Sequence, residues 1–165
     1  MALTPQQQAT LKAHIEASPD LNVYPNTSDG AFEIAALLNT TAAPDFYIWK
    51  TSVSNAEILQ NGMDWLRVDN LSVGKSRIWE WMFQFGSADP RKANVRAGIA
   101  EVWKGTAADN AVRQAVFNHC QTLATRVQKL FATGAGTSTT VDGVGPAIAD
   151  VMSVNYLDVE AARNS

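Results

Sequence analysis

Apolar positions recur along this chain mostly at helical spacing and only twice at strand spacing. Ala31, Ile34, Ala35 and Leu38 follow the i, i+3, i+4, i+7 pattern of one buried stripe, predicting a helix from Ser28 or Asp29 that Thr40 to Pro44 breaks. Upstream, Thr4-Pro5-Gln6-Gln7 reads as an N-cap, a first-turn proline and a side chain that bonds back. A first helix therefore runs from there to Ser18-Pro19. Phe46 to Thr51 is short, rich in aromatic and β-branched residues and bounded by Pro44 and Ser54, as a strand would be. Ser54-x-x-Glu57 opens a short helix that Asn61-Gly62 would close with a left-handed cap. Residues 63 to 71 carry no clear period. Ser72 then caps a helix in which Ile78, Trp81, Met82 and Phe85 share one face, widened by Trp79 and Phe83. Such a helix is too apolar to have a fully wet side. Val95, Ile99, Val102 and Trp103 predict another helix, stopped by Lys104-Gly105.

The longest stripe comprises Val112, Val116, His119, Cys120, Leu123, Val127, Leu130 and Phe131, behind a start signal at Thr106-x-x-Asp109. It predicts one helix over about 107–132, about 40 Å long. Asp109 at its start and Arg126 and Lys129 at its end suit the helix dipole. After it, "ATGAGTSTTVDGVGP" has no periodic apolar face and reads as a flexible loop or arm. Met152, Val154 and Tyr156 alternate with Ser153 and Asn155, predicting a strand over about 151–156, with Asp158 capping a last turn. That strand would pair with residues 46–51 in the same subunit or leave the body and pair elsewhere. The pattern as a whole predicts a mainly α, single-domain protein. Its helical body spans 1–133 around the long helix, and a Gly-rich loop and C-terminal arm span 134–165.

A length of 165 residues favours one core, which needs no covalent staples. Charged residues make up only 18%, against a usual ~25%, so more of the surface than usual must be small, amide or apolar. That suits a protein that lives against partners. A net charge of −3 argues against wholesale binding to a phosphate backbone. Cys120 is the single cysteine, which excludes an intrachain disulfide and fits a reducing compartment. The start MALTPQQQ has neither a basic nor an apolar leader segment, and no long apolar run follows. Neither a secretion signal nor a membrane span is expected.

Gly74-Lys75-Ser76 resembles half of a phosphate-binding loop, but the full motif requires glycine five positions before Gly74, where this chain has Asp69. The small residues of the first turn serve more simply to admit a neighbour's backbone. His14 and His119 fall in separate helices, and His119 and Cys120, adjacent on a helix, diverge by about 100° and cannot share one ion comfortably. Cys120 lies on an apolar stripe, where thiols are usually inert. No catalytic residue, cofactor or metal is expected, and the chain reads as a non-enzyme.

Arg67, Lys75, Arg77, Arg91, Lys92 and Arg96 stand against only Asp69, Glu80 and Asp89 between positions 67 and 96. This segment is either a solvated face or a basic patch toward an acidic partner or passing DNA that is not sequence-read. Five tryptophans are too many for one small helical core. Trp79, Trp81, Phe85, Trp49, Trp103 and Tyr156 are therefore the candidates for subunit contacts, because Trp is enriched at the centres of interfaces.

Seven phrases spread over nearly the whole chain carry a resemblance: "TPQQQATLKAHI", "NTSDGAFEIAALLNT", "FYIWKTSV", "VDNLSVGKSRIWEWMF", "RKANVRAGI", "LATRVQKLFATG" and "YLDVEAARN". Together they resemble structural proteins of tailed-bacteriophage virions, and in size and helical plan the chain is similar to the head–tail adaptors, or connectors. The resemblance implies a ring of twelve subunits around the DNA channel, between the portal protein and a tail or nozzle protein. It also implies a C-terminal arm that docks on the portal or a neighbouring subunit. The protein would be made in the host cytoplasm and reside in the virion. The alternatives are another tail or capsid-associated virion protein, or a DNA-packaging accessory that binds DNA non-specifically through the basic segment.

Overall fold

The computed structural model describes residues 2–60 and 63–165, so the expected Asn61-Gly62 cap lies outside the described residues. In chain order the elements are α1 (Pro5–Ala17), α2 (Pro19–Asn22), α3 (Ser28–Leu38), β1 (Tyr47–Trp49), β2 (Val53–Ser54), α4 (Asn55–Gln60), α5 (Trp65–Asp69) and α6 (Val73–Met82). There follow β3 (Ser87–Ala88), α7 (Ala93–Val102), α8 (Ala107–Cys120), β4 (Gln121–Leu123), α9 (Arg126–Leu130), β5 (Ala132–Thr133), β6 (Ile148–Ala149) and α10 (Tyr156–Arg163). The protein is mainly α, as the periodicity predicts. The strands pair two by two, β1 with β4, β2 with β3 and β5 with β6. The chain divides into two compact units. Unit 1 comprises Met1–Phe46, Leu123–Thr133 and Ala149–Ser165, and unit 2 comprises Tyr47–Thr122 and Gly134–Ile148.

Unit 1 is helical and its core is aliphatic. The Thr4 and Gln7 capping box forms as expected, with Thr4 N–H donating to Gln7 Oε1 at 2.9 Å and Gln7 N–H donating to Thr4 Oγ1 at 3.3 Å. In α3 the expected stripe of Ala31, Ile34, Ala35 and Leu38 is buried, alongside Leu11 and Ile15 of α1 and Val159 and Ala162 of α10. The predicted strand over 151–156 does not form. Its backbone bonds to side chains instead of to a neighbouring strand. Asn39 Nδ2 donates to the Val154 carbonyl at 2.7 Å, Val154 N–H donates to Asn39 Oδ1 at 3.3 Å, and Gln128 Nε2 donates to the Met152 carbonyl at 3.0 Å. At Asn155 the chain turns into α10, with Asn155 and Asp158 forming a reciprocal capping box. Tyr156 is thus the first residue of a helix, and its ring stacks on Phe32 with centroids 4.1 Å apart.

Unit 2 mixes short helices with loop and gathers aromatic rings at its centre. Trp79 lies edge-on to Trp103 at 5.6 Å and near Phe83 at 4.9 Å, while Trp49 meets Phe117 at 6.1 Å. β2 runs antiparallel to β3, in the register Val53↔Ala88 and Ser54↔Ser87. α6 packs on α7 through Gly98, where a Cβ would stand 2.6 Å from the Met82 methyl. The absence of a side chain is what allows that approach.

The long helix expected over 107–132 is two helices with an extended link. α8 ends at Cys120, whose carbonyl accepts from Lys50 N–H at 2.8 Å, and Gln121 is extended at φ −110 and ψ 162. Thr125 then caps α9, paired reciprocally with Gln128. A threonine hydroxyl that binds backbone N–H groups competes with helix continuation, and here it restarts the helix. The apparent single stripe was two half-stripes. Val112, Val116 and Cys120 belong to the core of unit 2, Val127 belongs to that of unit 1, and Leu123 between them is exposed.

The Gly/Thr-rich stretch also differs from a free arm. Tyr47 N–H donates to the Gly136 carbonyl at 2.7 Å, Thr137 N–H to that of Gly145 at 3.1 Å and Thr140 N–H to that of Val144 at 2.9 Å. Thr139 N–H donates to Gln121 Oε1 at 2.7 Å. Residues 134–148 are thereby folded into unit 2, and 149–165 into unit 1.

Candidate functional site

The helix that begins with the GKS triplet carries the most unusual surface of unit 2. Ser72 caps it, its Oγ accepting from Lys75 N–H at 3.4 Å, and Phe83 and Gly86 end it, the glycine at φ +83. At about 100° per residue, Val73, Arg77 and Trp81 fall within roughly a quarter turn of one another, and Trp79, Met82 and Phe83 fall on the opposite side. The second group is the buried one, with Trp79 and Phe83 in the core and Met82 packed against it. Of Ile78, Trp81, Met82 and Phe85, expected to share one face, only Met82 packs against the core, so the four are divided between the two sides. Phe85 lies beyond the helix end, and both Trp81 and Phe85 point away from the core.

The outward side is strongly apolar. Trp81 is 74% exposed, Phe85 92% and Val73 70%. On α5, the segment whose sequence carried no clear period, Trp65 is exposed and Leu66 is 75% exposed. Single exposed apolar side chains are ordinary, but this many within one stretch of about twenty residues make it the leading candidate for a contact surface. Of the six contact candidates, Trp81 and Phe85 reach solvent. Trp49, Trp79 and Trp103 are buried in the core of unit 2, because their flat rings fill space between short helices. Tyr156 is half-buried against Phe32 in unit 1. Sequence reasoning passed over Trp65, Leu66 and Val73. The signal that would have found them is that apolar residues at 65, 66 and 73 fit no buried stripe.

The basic residues of this segment divide into two kinds. Arg91 grips Asp89 with two bonds, Nε to Oδ1 at 3.0 Å and Nη2 to Oδ2 at 2.8 Å. The bond to the Arg91 side chain chiefly holds the Asp89 carboxyl below its usual range, and the pair pushes Arg91 up. Arg96 donates Nη1 to the carbonyls of Pro90 and Arg91, both at 2.7 Å, and lies 5.2 Å over the Trp49 ring. Lys75 Nζ donates to the Lys104 carbonyl at 3.0 Å, and Arg67 lies 3.9 Å from Asp64. Arg77 and Lys92 are exposed. Four of the six thus hold backbone or a local acid in place and offer less to a polyanion than a free patch would.

Gly74 faces open space, with nothing within 4 Å of a Cβ placed there. Among the described residues, no backbone uses the gap expected at the first turn. Among the described residues, no three His, Cys, Asp or Glu side chains converge as a metal site would require, and no helix is long and apolar enough to cross a membrane. Cys120 is fully buried, and desolvation pushes its thiol up to about 12. A group so held is protonated at neutral pH and a poor nucleophile.

Comparison of the chain with family models, with curated proteins and with solved structures finds no match.

Proposed function

We propose that this chain is a non-enzymatic structural protein of a tailed-bacteriophage virion, a head–tail adaptor that assembles through the outward face of α5 and α6. The observation that carries the proposal is the exposure of Trp81 and Phe85, with Val73 and Leu66, on a surface the chain does not cover itself. Large rigid rings in that position desolvate well against a partner and make strong anchors. Arg77, between Val73 and Trp81 on the same stripe, supplies the cation that accompanies aromatic anchors at interface centres. The family resemblance supplies the remainder of the reading: a ring, twelvefold by that resemblance, with the portal on one side and a tail or nozzle protein on the other. Low overall charge and the low reactivity of Cys120 agree with a building block.

The test is native mass spectrometry of the intact chain, alone and with its portal, for wild type and for a Trp81→Ser/Phe85→Ser variant. The expected result is a discrete ring for wild type and a folded monomer for the variant. A monomeric wild type that leaves the portal unbound at high concentration sinks the proposal. Wild-type rings found elsewhere in the virion by electron microscopy would move the protein to the tail or capsid-associated class. The DNA-packaging alternative rests on the exposed Arg77 and Lys92, and a Glu substitution at both that leaves DNA affinity and its salt slope unchanged removes it.

A further inference from the structure

Unit 1 holds a cleft of about 550 Å³ that an assembly role leaves unused. Its lining includes His14 of α1, Asp20 of α2, residues 40–43, and Arg126, Lys129 and Leu130 of α9. The volume lies within the ~300–1,000 Å³ of small-molecule sites. The walls are fixed by backbone pairing. Ala42 N–H donates to the Ala124 carbonyl and Arg126 N–H to the Thr40 carbonyl, both at 2.9 Å, and Thr41 bridges to Thr125.

The charges of the cleft are unequal. Arg126 spans Asp20 with Nη1 to Oδ2 at 2.5 Å and Nη2 to Oδ1 at 3.2 Å, so the two sum to zero and stiffen one another. Lys129 Nζ donates to the Pro44 carbonyl at 3.3 Å and lies 5.6 Å from the Phe46 ring centre. A carbonyl and a ring orient an ammonium without cancelling its charge. One positive charge is left over beside the apolar surface of Ala42, Ala43 and Leu130.

We propose that this cleft binds a small monocarboxylate, with its carboxylate at Lys129 and its short alkyl body against Ala42, Ala43 and Leu130. A phosphate would bring about −1.5 to −2 charges to a site with one to spare, and a neutral amide would leave Lys129 unmatched. His14 sets the pH dependence. Burial first, and then Arg126, hold its imidazole below the ordinary 6.5, with Asp20 opposing, and Lys129 is the further cation of the cleft. A bound carboxylate favours the imidazolium, so by linkage affinity tightens as pH falls through that range.

The experiment is a two-dimensional NMR titration of the full chain with butyrate, butyramide and inorganic phosphate, on wild type, Lys129→Gln and Lys129→Arg. Butyrate is expected to give saturable shifts at residues 14, 20, 40–43 and 126–130 that tighten from about pH 7.5 to about pH 5.5. Lys129→Gln, with spectral dispersion retained, is expected to bind about tenfold more weakly, and Lys129→Arg to restore affinity. Unsaturable shifts, equal binding of butyramide, undiminished binding by Lys129→Gln, or phosphate binding as tight as butyrate would each overturn the proposal. The Trp81→Ser/Phe85→Ser protein, altered only in unit 2, is expected to bind butyrate as wild type does. Failure of the assembly reading is thereby kept separate from failure of this one.

Discussion

Unit 1 and unit 2 solve the problem of burial with different side chains. The core of unit 1 is leucine, isoleucine, valine and alanine on helix faces, with tyrosines and a phenylalanine only at its edge. Unit 2 holds all five tryptophans and uses them on both sides of its helices, Trp49, Trp79 and Trp103 inside and Trp65 and Trp81 outside. Aliphatic side chains are stabilising only where they are buried, so their spacing reports the inward face directly. A tryptophan is stabilising in a core and equally useful at a contact, so its position in sequence does not say which side it serves. Both units leave apolar side chains exposed, Val23, Phe32 and Leu157 among them in unit 1, but only unit 2 divides tryptophans between its core and its surface.

The largest effect that tests this contrast concerns α10. In unit 1 it packs on α1 and α3 and buries Val159 and Ala162 completely. Arg163 ties it further, donating to the carbonyls of Tyr24 and Pro25 at 3.1 and 2.9 Å. Truncation before Asn155 is expected to cost about 5 kcal/mol or more, on the order of the whole stability of a marginal domain. Loss of the unit 1 resonances in an NMR spectrum is the readout. A truncated chain that melts like wild type would instead mean that residues 155–165 are a dispensable arm.

Next in size is the difference between an inner and an outer tryptophan. Trp103→Ala empties the centre of unit 2 and is expected to cost about 3–5 kcal/mol in denaturant unfolding. Trp81→Ala, on the outer side of α6, is expected to fall within about 0.5 kcal/mol of wild type. Equal costs would show that the outer ring is part of the monomer's own packing, and the contact reading of α6 would go with it.

How legible each unit was in the sequence follows from the same contrast. The caps at Thr4, Ser54, Ser72 and Thr106 and the stripe of α3 were readable, because side-chain capping and helical period are local. The inward face of α6 was not, because Trp79 and Trp81 are chemically identical and only the packing of Trp103 and Gly98 selects between them. The break after Cys120 was hidden by a run of apolar residues in helical register. Thr125-x-x-Gln128 is a readable start signal inside it, yet the extended link depends on Lys50 and Gln121 partners far apart in sequence. The alternation at Met152, Val154 and Tyr156 suggested a strand, but the side chains of Asn39 and Gln128 take the backbone bonds a strand would need. The cleft of unit 1 was legible only as scattered residues, since His14, Asp20 and Lys129 share no motif.

A smaller effect separates two glycines of unit 2. Gly143 sits at φ +69, and a Cβ there would stand 2.6 Å from the Phe117 ring, so Gly143→Ala is expected to cost about 1–3 kcal/mol. Gly74 has open space around it in the first turn of α6, and Gly74→Ala is expected to stabilise by about 0.4–1 kcal/mol. Thermal melts of the two variants should move in opposite directions. A destabilised Gly74→Ala would show that the first turn of α6 needs the glycine in its own subunit, which the exposed-face reading does not allow.

The smallest effect compares one ion pair from each unit. Asp20 is paired with Arg126 in unit 1 and Asp89 with Arg91 in unit 2, and the arginine bond chiefly holds each carboxyl below its ordinary range. A depressed carboxyl contributes stability that is present above its unfolded value and lost as pH falls through its folded one. Asp20→Asn and Asp89→Asn should therefore each lower the melting temperature at neutral pH and converge with wild type in strong acid. Solvent decides which matters more. The Asp20 side chain is 54% exposed and that of Asp89 only 20%, and Asp89 also accepts from Arg91 N–H at 3.0 Å. Water and salt screen the first pair more than the second, so the neutral-pH deficit should be larger for Asp89→Asn and less reduced by added salt. A larger deficit for Asp20→Asn would reverse that order and would mean that the Arg126–Asp20 pair holds the walls of its cleft more firmly than its exposure suggests.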